Sequence, residues 1–138
     1  MSERPLSGPE AAFVDAARVA RLATTMPDGS PHVVPVCPVL DLDRILIASS
    51  FDRKVANIRE TPAICVAFDE YSEDWEHGLF QVIVFGEAYL VESGPEFERD
   101  ANLLNEKFPQ YPVSTSPIEE GKTVIIEIRP TRVSSSGF

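Results

Sequence analysis

Basic residues are scarce in this chain. Its 138 residues include 12 lysines and arginines against 22 aspartates and glutamates, a formal net charge of −10. A field of that sign repels a phosphate backbone, which excludes nonspecific nucleic-acid binding but leaves room for one phosphate in a locally basic pocket. Cysteine is equally sparse. Cys37 and Cys65 each sit inside an apolar run without C-x-x-C spacing, so they are expected as buried, reduced thiols rather than metal ligands or a disulfide. No apolar stretch approaches the roughly 20 residues a membrane span needs. No charged-then-apolar leader is visible either. The expectation is a cytoplasmic protein with no membrane partner. No Gly-rich dinucleotide fingerprint follows any strand, and Gly-x-Ser-x-Gly is absent. An acidic loop holds Glu70, Glu73, Asp74, Glu76 and His77 without calcium-loop spacing, so no metal site is expected.

What is present suits one domain. The apolar fraction of 43% is enough for one core. Residues 1–138 read as a single unit, with loose tails at 1–6 and 131–138. Ser7 followed by Pro9 and Glu10 reads as a helix start, and that helix is expected to run to about Ala20. Strands are expected at 21–26, 31–40, 44–50, 63–69, 79–91 and 122–129. Pro27-Asp28-Gly29-Ser30 marks a hairpin between the first two. Pro31, Pro35 and Pro38 restrict the second strand to an edge or bulged role, since proline cannot donate to a ladder. Short helices are expected at 52–60 and from Ser93 to about Phe108, the latter with Phe97, Ala101, Leu104 and Phe108 at helical spacing. Gly86 marks a bulge or a close approach in the fifth strand. Six strands joined mostly by tight turns, with three short helices, predict a mainly β fold: an antiparallel sheet closed into a barrel.

The chemistry concentrates at Ser49-Ser50-Phe51-Asp52-Arg53-Lys54. A strand ends in two hydroxyls and a helix begins at once with two cations in its first turn. The helix dipole disfavours cations there. A bound phosphate would reverse that balance, because it accepts the free N–H groups and pairs with both side chains. The alternative is a solvated pair balanced by Asp52 and Glu60.

Three stretches in order carry a resemblance. They are Arg21-Leu22-Ala23-Thr24 leading to Asp28-Gly29-Ser30-Pro31-His32-Val33-Val34-Pro35-Val36, then Asp52-Arg53-Lys54-Val55-Ala56-Asn57-Ile58-Arg59-Glu60-Thr61-Pro62, then Gln81-Val82-Ile83-Val84-Phe85-Gly86. Over about residues 10–130 the chain resembles the pyridoxamine-phosphate-oxidase-like flavin-binding split-barrel superfamily. Tyr71 to Trp75 and Phe108-Pro109-Gln110-Tyr111 resemble its branch of probable F420-dependent enzymes. The resemblance implies a homodimeric six-stranded split barrel with two cofactors at the interface. It implies Arg53 and Lys54 as the phosphate grip, helped by Ser49 or Ser50. It places His32, Pro35, Val36 and Cys37 along the flavin ring, Gln81 against it, and Asn57 facing the same site. Trp75 is either a stacking group lent by the partner or a loop anchor, and His32 either a cofactor contact or a strand histidine with a backbone partner.

The departures are informative. The oxidase proper carries a basic residue at the position of Cys37 and a threonine at that of Ala48, and its C-terminal Arg-Leu-x-Pro segment is missing here. These speak against true pyridoxamine 5'-phosphate oxidase activity. The implied function is an oxidoreductase acting on a small organic substrate with FMN, NAD(P)H being a possible reductant; no catalytic side chain is identified. F420 is the alternative cofactor. Its anionic tail requires a basic groove, for which Arg18, Arg21, Arg53, Lys54 and Arg59 are the candidates. Haem ranks behind both. The alternative role is a non-catalytic flavin or haem carrier of the same fold.

Overall fold

The computed structural model describes residues 6–73, 76 and 78–138. Helix α1 spans Gly8–Ala16. Strands β1 (Ala20–Thr25), β2 (Pro31–Val36), β3 (Pro38–Asp41) and β4 (Arg44–Ser49) follow. Then come α2 (Arg53–Glu60), β5 (Ala63–Tyr71), β6 (Leu79–Val91), α3 (Gly94–Lys107) and β7 (Val124–Ser136). The strands form one antiparallel sheet in the order β2-β1-β5-β6-β7-β4-β3. No helix among the described residues is long and apolar enough to cross a membrane.

The strand count is a correction. The run 31–40, expected as one strand, is two, so the sheet has seven strands and not six. β2 pairs only with β1, and β3 pairs only with β4, at the opposite edge. Cys37 alone separates them, so the sheet must curl until its two edges meet at that residue. The prolines fit this arrangement. Pro31, Pro35 and Pro38 lie on edge strands, where a missing N–H leaves no central ladder broken.

The interior of the curl holds the main core. Leu22, Val36, Ile45, Ile47, Val66, Phe68, Val84, Ile126 and Ile128 alternate inward from their strands. Val14 of α1 and Val55 and Ile58 of α2 add to it from the helices. Each such side chain contributes about 1.5–3 kcal/mol on burial. A second core lies outside the sheet, where Phe97, Ala101, Leu104 and Phe108 cover Val39, Leu46 and Ile125. The start of β7 is therefore covered on both faces, and Val124 to Ile128 are all buried.

Two boundaries differ from expectation. α1 ends at Ala16 and not near Ala20, because Ala20 is already paired with Val36. The serine tail continues β7: Ser134, Ser135 and Ser136 pair with Ile83, Val82 and Gln81. The long β6 presents backbone groups that need partners, and the tail supplies them whatever its side chains. The register of β6 against β7 slips between Phe85 and Gly86. There the Arg129 carbonyl and the Pro130 backbone leave no space for a Cβ at Gly86. Both cysteines are free, as expected, but each is half-buried rather than buried.

Candidate functional site

β4 ends at Ser49, whose hydroxyl donates to the Ser50 carbonyl (2.7 Å) and to Asp52 Oδ1 (3.4 Å). The chain then turns through exposed Ser50 and Phe51 into α2. Asp52 takes the N-cap position with extended backbone (φ −125°, ψ −164°), yet its side chain does not cap the helix. Instead its Oδ2 accepts from Lys54 Nζ at 2.7 Å. The first-turn N–H groups of α2 therefore lack a side-chain cap, and their partial positive charge stays open to an anion. Arg53 is exposed and has no ion-pair or hydrogen-bond partner among the described residues.

Beside this helix start lies a cavity of about 340 Å³ between the end of β4 and the segment 111–119. Ala48, Ser49, Ser50, Tyr111, Ser116 and Thr123 line it, with Lys122 and Glu119 at its wall. Burial, then the nearby Cys37, pushes the Tyr111 phenol above its ordinary pKa, so it remains a donor at neutral pH. Residues 109–121 read in sequence as a Pro/Ser-rich loop. Its tyrosine and hydroxyls became visible as a wall only once β4 and β7 were placed side by side.

The other candidates fall in two further places. Asn57 is 2% exposed and faces inward, donating from Nδ2 to Thr24 Oγ1 at 3.0 Å and to Met26 Sδ at 3.5 Å. His32 sits opposite Thr24 in the ladder. Asn57 Oδ1 and His32 Nδ1 are both buried without a hydrogen-bond partner. Val36 also points inward, whereas Pro35 is exposed on the outer face. Gln81 lies on that outer face too, half-buried, with Val82 turned into the core. It pairs with Asp69 on one side and Ser136 on the other. Trp75 lies outside the described residues, as do Asp74 and His77.

Register separates Gln81 from the helix start. Ser49 pairs with Val124 at one end of β7, and Gln81 pairs with Ser136 at the other. Twelve residue steps of about 3.3 Å put roughly 40 Å of strand between them.

The five cations considered for an F420 groove do not gather. Arg21 is paired with Asp69 (2.7 Å) and Arg59 with Glu92 (3.0 Å). The Arg18 guanidinium lies 5.3 Å from the Phe108 ring centre. Arg53 and Lys54 stand in the first turn of α2, and the Arg59 guanidinium lies 6.0 Å from the ring centre of Phe51 just before it.

The model of the family described as pyridoxamine 5'-phosphate oxidase matches residues 10–137, and the chain belongs to that family. Among solved structures, a FAD-binding protein from Mesorhizobium loti is 25% identical, with 96% of this chain and 93% of that one covered and a TM-score of 0.73. An F420 reductase is 23% identical, covering 89% and 94%, with a TM-score of 0.66. HutZ, the haem storage protein of Vibrio cholerae, is 16% identical, covering 98% and 97%, with a TM-score of 0.80. The last two show a shared fold alone. No curated protein matches the sequence.

Proposed function

We propose that this member of the pyridoxamine 5'-phosphate oxidase family binds FMN at the start of α2 and uses it, as a homodimer, to oxidise or reduce a small organic substrate. The observation that carries this reading is the uncapped first turn of α2 with an unpartnered Arg53 beside a hydroxyl-lined cavity. The donor set fits one phosphate: free helix N–H groups, a guanidinium, an ammonium and the Ser50 hydroxyl. Lys54 is partly neutralised by Asp52, and Lys122 in the cavity wall stands 3.9 Å from Glu119. That local charge suits the single phosphate of FMN better than the long anionic tail of F420.

The flavin, when bound, supplies the redox chemistry. The protein's part is to hold and orient it. Arg53, Lys54 and Ser50 would hold the phosphate, and the cavity under residues 111–119 would keep water from it. Gln81, toward the opposite end of β7 from Ser49, would serve the cofactor held by a second copy.

The test is an FMN titration of the purified full chain followed by flavin fluorescence. Charge-assisted hydrogen bonds contribute about 1.5–3 kcal/mol each. Arg53→Ala combined with Lys54→Ala should therefore weaken binding at least about a hundredfold. Unchanged affinity would place the cofactor elsewhere. A Soret band on haem addition with no flavin uptake would favour the carrier reading, and preference for F420 in direct competition would overturn the choice of FMN.

A further inference from the structure

Away from the cavity, three carboxylates meet where α3 crosses the outer face of β4 and β7. Asp100 is 0% exposed and Glu127 is 1% exposed. Glu96, one turn before Asp100, completes the group, and one oxygen from each lies within 4.8 Å of the others. Three guanidinium groups surround them. Arg44 Nη1 forms an ion pair with Glu127 Oε2 at 2.6 Å. Arg44 Nη2 reaches Asp41 Oδ2 at 2.5 Å and Asp100 Oδ1 at 3.7 Å. Arg99 stands 3.5 Å from Asp100 Oδ1, and Arg129 stands 3.7 Å from Glu127 Oε1. Asp100 Oδ2 is buried without a partner.

Two buried carboxylates this close do not both ionise freely, so one of them keeps its proton. We propose that Asp100 and Glu127 share one proton, and that this proton latches α3 to the sheet so that the wall of the cavity loosens as pH rises. Asp100 is the proton carrier. Burial, reinforced by Glu127, pushes its pKa up to about 6. Burial alone would raise Glu127 as well, but Asp100, Glu96 and Arg44 outweigh it and hold Glu127 at about 2. A divalent cation is the rival occupant of this gap. Arg44, already in contact with Glu127 and Asp41, opposes it by charge and by position.

The latch connects to the cavity through α3. The helix shares its core with Tyr111, Ile118 and Ala48, all of which line the cavity. Its first amide, Gly94 N–H, donates to Glu120 Oε1 at 2.6 Å, next to Glu119 in the cavity wall. Neither link depends on which cofactor binds.

The sign follows from linkage. An acid with a raised folded pKa gives stability that is whole below its unfolded value and is lost as pH climbs to the folded value, here from 3.8 to about 6. Glu127 works the other way, adding stability as pH rises from about 2 to 4.5. The clamp is tightest near pH 4 and slackens through pH 6. Asp100→Asn keeps a neutral donor in place. Relative to wild type, its folding equilibrium constant should rise about a hundredfold between pH 4 and pH 7, measured by urea denaturation. A constant ratio across that range overturns the proposal. Should the variant fail to fold, carbon-13 titration of the Asp100 carboxyl in wild type decides: a midpoint near 6 supports the latch, and one near 4 sinks it. Amide exchange adds a local readout: opening free energies across residues 94–120 should fall in wild type between pH 5 and 7.5, and not in the variant. A uniform fall across the sheet would argue against a local latch. A rise in wild-type melting temperature with millimolar Mn²⁺ or Ca²⁺, absent in Asp100→Asn, would show a cation in place of the proton.

Discussion

Single residues carry much of the strain and much of the chemistry here. Leu42, in the turn between β3 and β4, is the only described non-glycine residue with positive φ, at 58°, and it is 88% exposed. A leucine gains nothing there by packing and meets the steric cost of the left-handed region. Asparagine tolerates that conformation. Leu42→Asn should raise unfolding free energy by about 0.5–1 kcal/mol, read from the urea midpoint; a loss of stability would mean the leucine has a contact the monomer does not reveal. Asp100 and Glu127 are the opposite case, charges held in place by surroundings instead of relieved by water. A signal for Asp100 was available, because it falls between Phe97 and Ala101 on the apolar stripe of α3. A charge at such a position asks for a partner, but the partner itself, Glu127, lies on another element.

Elements are joined by a few polar ties across the apolar contacts. α1 carries a full capping box, with Ser7 N–H donating to Glu10 Oε1 (2.8 Å) and Glu10 N–H donating to Ser7 Oγ (3.3 Å). Glu10 also accepts from the Ser135 hydroxyl at 2.6 Å through Oε2. One glutamate thereby caps its own helix and anchors it to the far end of β7. Phe138 strengthens the same junction, its ring 5.2 Å from Phe13 and 5.6 Å from Phe80. Hydrogen bonds to charged groups contribute about 1.5–3 kcal/mol. Ser135→Ala should therefore cost about 1–2 kcal/mol in chemical denaturation, with extra amide exchange confined to α1 and the end of β7. An unchanged exchange pattern would show that the aromatic contacts hold α1 alone.

On the scale of the whole molecule, α3 covers the outer face of the sheet mainly over β3, β4 and β7. Across β2, β1, β5 and β6 the register aligns Val33, Ala23, Cys65 and Phe85 in one row, and Pro35, Arg21, Ala67 and Ile83 in the next. Val33 is 59% exposed. This face also carries Gln81, which pairs at the opposite end of β7 from Ser49. The proposed homodimer would cover the face and bring a partner's Gln81 into play. Light scattering should give twice the 15.2 kDa of the chain. Val33→Glu should halve that mass and weaken FMN binding together. A wild-type monomer at tens of micromolar would remove the dimer from the reading. With a net charge of −10 on each copy, association should tighten as salt rises.

The features that the sequence determined by itself are local ones. Proline's missing N–H confined Pro31, Pro35 and Pro38 to edge strands. Asp28 and Gly29 set the first hairpin, where Asp28 Oδ1 accepts from Ser30 N–H at 3.0 Å. The spacing of Phe97, Ala101 and Leu104 set the buried face of α3, and two cations after Ser49-Ser50 marked the helix start at Arg53. Each of these depends on groups within a turn or two of one another. Tertiary structure decided the rest. The break at Cys37, the pairing of a serine tail with β6, the opposite placement of Gln81 and Arg53, and the meeting of Asp100 with Glu127 all depend on which strand lies beside which. That neighbourhood comes from the curl of the whole sheet and the burial it achieves, and no stretch of local sequence encodes it.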